Sequence, residues 1–325
     1  MSTRLNIAGV TVLVASILAG IAPAVSEPFP SRHVRIITGG AGTFHDVVAR
    51  HIAQGLSDRW QQGMIVENQP AAGLTIGTAI AAKSAPDGYT LLLGDRTSLA
   101  AAPIFYKNLR YDPVKDLRPI TLVARAPAIL AVHPKVPVAN LKEFIEFAKQ
   151  QPDPILFASA GNGTFVHMTG LLFGQLADVR IQPVQFRGGG EAATALLGGH
   201  ATFTAGTIPA ILPHVSAGQA KALAVTSTHR MAVAPDIPTA AEAGLPGLEG
   251  EQWVGMLVPT GTPDAIAGEI GRQIVKILQS SDMRDKLRAQ GAEPAPGTPA
   301  EFAAFMASET LQLRRLIETT GLRVD

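Results

Sequence analysis

From residue 34 onward, short strand-like runs alternate with helical patterns, and this alternation limits the chain to a small set of folds. Residues 34–37 read as a strand. Residues 46–60 follow with Val48, Ile52 and Leu56 spaced by four, one face of a helix. Gly63 ends that helix. A strand at 64–66, a helix at 76–83 and a strand at 89–93 come next, the last two separated by the turn Pro86-Asp87-Gly88. The β-α-β-α-β order predicts a parallel sheet with right-handed crossovers. The pattern resumes with strands at 128–132, 155–158, 181–185 and 222–225 and helices at 141–150 and 165–176. Thr262-Pro263-Asp264 predicts a helix start, with a Thr cap, Pro at the first position and an acid in the first turn. Thr298-Pro299-Ala300-Glu301 reads as a capping box opening a last helix, with Phe302, Phe305 and Leu311 inside. The organisation expected is two α/β lobes, residues 27–125 plus 227–325 forming lobe 1 and 126–226 lobe 2. The first crossing is expected near 123–128 and the return crossing between 224 and 258.

The N-terminus reads as an export signal. Arg4 is the basic region, an uncharged apolar run extends from Ile7 to Ile21, and Ala22-Pro23-Ala24 and Ala24-Val25-Ser26 are small-x-small cleavage sites. The apolar run is shorter than the roughly 20 residues a spanning helix needs. Residues 1–26 are therefore expected to be a cleaved signal peptide and the mature protein periplasmic. The chain contains no cysteine, which excludes a disulfide scaffold, a cysteine-ligated zinc, a cysteine nucleophile and a lipid anchor on a mature N-terminal cysteine. Its 27 Lys and Arg balance 26 Asp and Glu, for a net charge of +1. Nucleic acid, which calls for a basic stripe, is not an expected partner.

A partial internal repeat points to function. Gly40-Ala41-Gly42-Thr43-Phe44-His45-Asp46 follows the first strand, and Ser159-Ala160-Gly161-Asn162-Gly163-Thr164-Phe165-Val166-His167 follows a strand in the second half. Both contain Gly-x-Gly-Thr-Phe between a strand and a helix start. Glycines let a ligand approach the backbone, and a helix N-terminus offers free N–H groups and a partial positive charge. Two such turns facing one cleft suit a small carboxylate; the same residues also suit ordinary strand–helix turns. Neither Gly-x-Gly-x-x-Gly at 40–45 nor a P-loop motif is present.

Several further segments together resemble the Bug-type periplasmic substrate-binding proteins of tripartite tricarboxylate transporters. They are Val66-Glu67-Asn68-Gln69-Pro70-Ala71-Ala72-Gly73, Ala85-Pro86-Asp87-Gly88-Tyr89-Thr90-Leu91-Leu92-Leu93-Gly94, Tyr111-Asp112-Pro113-Val114-Lys115-Asp116-Leu117, Leu196-Leu197-Gly198-Gly199, Ala222-Leu223-Ala224-Val225-Thr226, Pro238-Thr239-Ala240-Ala241-Glu242-Ala243-Gly244 and Pro259-Thr260-Gly261-Thr262-Pro263. The resemblance covers roughly residues 28–322. It implies an α/β type II periplasmic-binding-protein (Venus flytrap) fold, two lobes with a central cleft and hinge. It also implies capture of a small organic acid, without cofactor or metal, by a monomer that delivers it to the large and small membrane subunits of the transporter. The ligand loops it implies contribute Gly39, Gly40, Gly42, Thr43, His45 and Asp46 from the first lobe. Ser159, Ala160, Gly161, Asn162, Thr164 and His167 come from the second. Phe186, Arg187 and Gly188 stand where the family usually has Tyr-Lys-Gly, and Arg96, Thr97 and Ser98 follow the third strand. The chain departs from the family pattern in two of these loops. The aromatic that usually covers the ligand is Gly39 here, the second glycine of the first turn is Thr43, and Asp95-Arg96 replaces small or hydroxyl residues.

Each residue type has a structural role to set beside the functional one. Asp46 suits a helix dipole as well as a ligand amino group. Arg96 suits a bidentate carboxylate clamp, or a pair with an acid. Arg187 suits support of its own loop or a ligand contact. His45 and His167 suit hydrogen bonds to ligand or loop, and too few neighbours of ligating type accompany them for a metal. Trp253 suits plain core or a reporter of closure. A secreted hydrolase is the enzyme alternative, and no Gly-x-Ser-x-Gly elbow supports it. A ligand-presenting partner of a sensor system is the third class.

Overall fold

The computed structural model describes residues 28–41, 43–69 and 72–320. The expected leader, 1–26, and Gly42 lie outside the described residues. From Arg32 onward the first elements are β1 (Val34–Thr38), α1 (Phe44–Trp60), β2 (Met64–Asn68), α2 (Thr75–Ala82), β3 (Thr90–Asp95) and the single turn α3 (Ala102–Phe105). The long strand β4 (Leu117–Val132) leads to α4 (Leu141–Gln150), β5 (Ile155–Ser159), α5 (Phe165–Ala177), β6 (Ile181–Gln185), α6 (Gly189–Leu197), β7 (Phe203–Thr207), α7 (Ile208–Ser216) and β8 (Lys221–Val225). The chain closes with β9 (Glu251–Pro259), α8 (Asp264–Leu278), α9 (Ser281–Ala289), β10 (Glu293–Pro294) and α10 (Pro299–Thr320).

The strands order β2-β1-β3-β9-β4-β7-β5-β6, with β8 and β10 also pairing to β4. β1 is parallel to β2 and β3, as the β-α-β-α-β order predicts. The sheet is nevertheless mixed. β9 inserts between β3 and β4 and is antiparallel to both, because it arrives from the far side of the molecule while β4 leaves for it. The far half repeats the arrangement. β5 is parallel to β6 and β7, and β4 is antiparallel to β7 and β8. The result is two α/β lobes that share β4. Its residues from Leu117 to Pro127 pair with β9, and those from Ala128 to Val132 pair with β7 and β8.

Thr226 fastens the passages between the lobes. Its side chain is 1% exposed. Its Oγ1 accepts from the Ala128 N–H at 2.9 Å and donates to the Gly250 carbonyl at 2.6 Å. Its own N–H donates to Ala128 O, and Gly250 N–H donates back to Thr226 O. One hydroxyl thus joins the outgoing strand to the residue that opens β9.

Each lobe has its own aromatic core. Phe203 packs against Phe157 at 4.9 Å, Phe173 at 5.2 Å and Phe144 at 5.5 Å between ring centres. In the other lobe Trp253 meets Phe302 and Phe305 edge-on. A Cβ on Gly255 would come within 2.0 Å of the Phe302 ring, so glycine there leaves room for that ring against β9. The capping box at α10 forms as read, Glu301 N–H donating to Thr298 Oγ1 and Thr298 N–H to Glu301. Two local expectations are corrected. Thr262 does not cap α8; its hydroxyl donates to Pro259 O, and Pro263 occupies the cap position. Leu311 points outward, 51% exposed, because the C-terminal part of α10 has solvent on that face.

Candidate functional site

A cavity of about 580 Å³ opens between the two lobes. Its walls are the loops that leave the C-terminal ends of β1, β2, β3, β5, β6 and β7, the edge at which open α/β sheets place ligands, together with Gln252 of β9. The repeated turns meet there, and their threonines make the same hydrogen bonds. Thr43 Oγ1 donates to Gly40 O at 2.6 Å, and Thr164 Oγ1 to Gly161 O at 2.7 Å. Each hydroxyl also caps its helix, accepting from Asp46 N–H in α1 and from His167 N–H in α5. Gly161 and Gly163 hold φ angles of 114° and 72°, which side-chain-bearing residues rarely adopt.

Two further helices begin at the cavity. α6 starts after Gly188 and α7 after Thr207, and neither cap residue supplies a side-chain hydrogen bond. A Cβ on Gly188 or Gly190 would meet nothing within 4 Å, so packing does not demand glycine at either position. What glycine achieves there is an uncovered backbone at a helix start. Four helix N-termini therefore converge on one cavity, two of them uncapped, and their partial charges add to a positive potential. Arg187 lies on the same wall and has no ion-pair partner among the described residues, and its backbone N–H donates to Glu191 Oε2 at 3.1 Å.

The opposite wall carries a coupled set of side chains. His45 Nε2 lies 3.0 Å from Asp95 Oδ2, and the Gln252 amide from β9 lies 3.1 Å from the same nitrogen. Asp95 Oδ1 accepts from both the N–H and the hydroxyl of Ser98, at 2.8 and 2.7 Å. Burial pushes the Asp95 carboxyl up, but the bonds from His45 and Ser98 and the His45 charge outweigh it and hold the group below the usual carboxylate range. Asp95 is thus an anion that holds His45 in place.

Of the residues expected at the site, the structure brings Gly39, Gly40, Thr43, His45, Thr97, Ala160, Thr164, Arg187 and Gly188 to the cavity wall. Gly42 lies outside the described residues, and the remaining ones are not on the cavity wall. Asp46 is buried, accepting from Asn68 Nδ2 at 2.8 Å and pairing with Arg50 at 3.0 Å. Arg96 is turned away from the cavity; its Nε donates to Glu309 Oε2 at 2.8 Å, an oxygen that also accepts from Trp253 Nε1. Ser98 is consumed by Asp95. Ser159 is fully buried at the end of β5, Gly161 is half-buried and not part of the lining, and Asn162 is exposed to solvent. His167 is 3% exposed, and its Nδ1 accepts from Gly163 N–H at 3.0 Å, so it braces the loop from behind. Desolvation brings its pKa down to about 4 and keeps it neutral. Phe186 is half-buried and packs on Ala158, Ala192 and Ala201. Sequence reasoning missed the openings of α6 and α7 as helix starts, along with Gln252, Gln69, Gly73 and Leu74 on the wall. The run Gly188-Gly189-Gly190 was the available signal for the first of these.

A smaller cavity of about 110 Å³ lies elsewhere, beside Arg125, Glu251 and Arg288. No helix N-terminus opens onto its lining, and its arginines are paired, Arg125 with Glu251, Arg288 with Glu293 and Arg230 with Glu242 outside the lining. Among the described residues no helix is long and apolar enough to cross a membrane.

Comparison with known proteins places this geometry in context. A family model described as "Tripartite tricarboxylate transporter family receptor" matches residues 48–322. Protein BugT of Bordetella pertussis (strain Tohama I) is 32% identical, the alignment covering 100% of this chain and 99% of BugT. Among solved structures, R. palustris Rpa4515 with adipate superposes with a TM-score of 0.86 at 30% identity, covering 91% of this chain and 99% of that one. MatC (Rpa3494) from Rhodopseudomonas palustris with bound malate gives 0.80 at 32% identity, covering 89% of this chain and 100% of that one.

Proposed function

Because the chain belongs to the tripartite tricarboxylate transporter receptor family, we propose that it captures a small carboxylate in the cavity between its lobes and presents it to a membrane transporter. The observation that carries this reading is the convergence of four helix N-termini on one cavity beside the unpaired Arg187. Backbone N–H groups and a guanidinium bind a carboxylate through charge-assisted hydrogen bonds while the site needs little fixed charge of its own. The relatives with adipate and with malate support the ligand class.

The finer assignments follow the same reading. Gly39, Gly40, Thr43, His45, Thr97, Ala160, Thr164, Arg187 and Gly188 form the ligand contacts on the cavity wall. Lobe 1 comprises 27–125 plus 227–325 and lobe 2 comprises 126–226, with the return passage in residues 226–250. Residues 1–26 act as a cleaved signal that delivers the chain to the periplasm. The protein works as a monomer that binds and releases without turnover, and its receiving partners are the large and small membrane subunits of the transporter.

Thermal unfolding against a panel of mono-, di- and tricarboxylates, aromatic acids, neutral sugars and amines tests the ligand class. A carboxylate at about a hundred times its dissociation constant adds roughly 2.7 kcal/mol of stability and raises the Tm. Stabilisation by a neutral or cationic compound with none by any anion overturns the reading.

A further inference from the structure

The positive potential of the cavity is not shared evenly by its two walls. Of the four helices that begin there, α1 carries Asp46 in its first turn and α6 carries Glu191, whereas α5 and α7 carry no acid. An acid in the first turn offsets the partial charge of a helix N-terminus. The two N-termini that keep theirs, roughly half an elementary charge each, both belong to lobe 2. Arg187 adds a cation on that side. Glu191, whose Oε2 accepts from the Arg187 N–H at 3.1 Å, adds an anion. His167, behind the loop, is neutral. With Arg187 and Glu191 cancelling, the lobe 2 wall has the potential to hold about one carboxylate.

The lobe 1 wall has no positive charge to spare. Asp95 is an anion, so the His45–Asp95 pair sums to zero with the ring protonated and to minus one with it neutral; in neither state is it positive. Gln252, whose amide nitrogen lies 3.1 Å from His45 Nε2, is neutral. Arg50 of α1, Arg35 of β1 and Arg96 after β3 are each paired with an acid, Asp46, Glu67 and Glu309 in turn. The polar side chains of this wall are also occupied. Thr43 Oγ1 donates within its own turn, and Gln69 Nε2 donates to Glu67 Oε1 at 2.9 Å. The Thr97 hydroxyl has no partner among the described residues, and a hydroxyl supplies a hydrogen bond but no charge. A carboxylate pressed against this wall would give up its water and meet no net positive charge in return. The rest of the lining suits an uncharged body instead: Phe44, Leu74, Phe165, Val166, Pro209 and Ala210 all border the cavity. Its volume of about 580 Å³ is in the range that encloses a ligand much larger than a carboxylate group.

We propose that the preferred ligand is a monocarboxylate with an apolar body, its one carboxylate on the lobe 2 wall at the starts of α5, α6 and α7 and its body toward Phe44 and Leu74. The inference deepens the carboxylate reading of the cavity and rests on it. Asp95 is the charge that disfavours a second carboxylate at the far end of the ligand.

Hexanoate, adipate and hexanamide share one chain length and differ in their charged ends. Titration calorimetry of the protein with each, at a pH where both adipate carboxylates are ionised, reads how many carboxylates the cavity accepts. The expected result is that hexanoate binds at least about tenfold more tightly than adipate, and hexanamide more weakly than hexanoate. Along the series acetate, butanoate and hexanoate, affinity rises by about fourfold per methylene. Asp95→Asn removes the disfavouring charge and narrows the gap between hexanoate and adipate; a gap left unchanged overturns the role of Asp95. The comparison on the unaltered protein holds whether or not that variant folds. Adipate binding as tightly as hexanoate, an affinity that stays flat along the series, or no binding by hexanoate or benzoate overturns the proposal while the carboxylate reading stands on any acid that does bind. Hexanamide binding as tightly as hexanoate overturns the carboxylate reading itself, and this inference with it.

Discussion

The two histidines of the repeated turns occupy neighbouring positions in the repeat and do different work. His45 reaches the cavity, whereas His167, one step further along its own turn, points behind it and accepts from Gly163 N–H. Because burial lowers the His167 pKa to about 4 from 6.5, the folded protein binds fewer protons there than the unfolded chain between those values. Stability is therefore lost as pH falls through that window, by up to about 3 kcal/mol. Urea unfolding at about pH 7 and pH 4.5 measures the loss, and His167→Gln, which keeps an acceptor for Gly163, flattens that part of the profile. The two arginines divide in the same way. Arg187→Ala removes a charged donor from the cavity and should weaken carboxylate binding by about 1.5–3 kcal/mol, roughly ten- to a hundredfold. Arg96→Ala leaves Glu309 without its cation and should lower the Tm with a much smaller effect on affinity. Calorimetry and melting curves on the two variants separate these outcomes.

At the scale of elements, the strands and helices that the sequence made legible were those with an uninterrupted pattern. The four-residue spacing of Val48, Ile52 and Leu56 gave α1, and the repeated Gly-x-Gly-Thr-Phe gave the two turns that the structure builds alike. The first half of β4 was not legible, because Pro119, Arg125 and Pro127 interrupt its alternation and its pairing with β9 shifts register twice. α6 and α7 were hidden by residues that normally end helices, three glycines at the start of one and Pro209 and Pro213 in the other. Burial of Leu196, Ile208 and Ile211 against β4 and β8 overrides those local preferences. The site was legible as two turns but not as four helix starts for this reason. At the junction of the lobes, Thr226→Val keeps the shape of the side chain and leaves the Ala128 N–H and Gly250 carbonyl without their partner. The expected loss is about 1–3 kcal/mol in urea unfolding. A change below about 0.5 kcal/mol would mean that the hydroxyl does not fasten the junction.

For the whole molecule, the low charge of the sequence and the geometry of the cavity support one account. A net charge of +1 spread over the surface does not mark an anion-binding protein. Helix N-termini supply that potential without formal charge, so composition alone concealed it. The mixed sheet, with β4 and β9 passing between lobes that are otherwise parallel α/β units, brings those N-termini from two lobes to one cavity. A crystal structure of the protein with malate or adipate tests this central claim most directly. The account predicts a carboxylate between the lobes, accepting N–H bonds at the starts of α6 and α7 and facing Arg187. A ligand seated instead beside Arg125 and Glu251, or one that leaves the backbone of Gly188, Gly189 and Gly190 untouched, would contradict it.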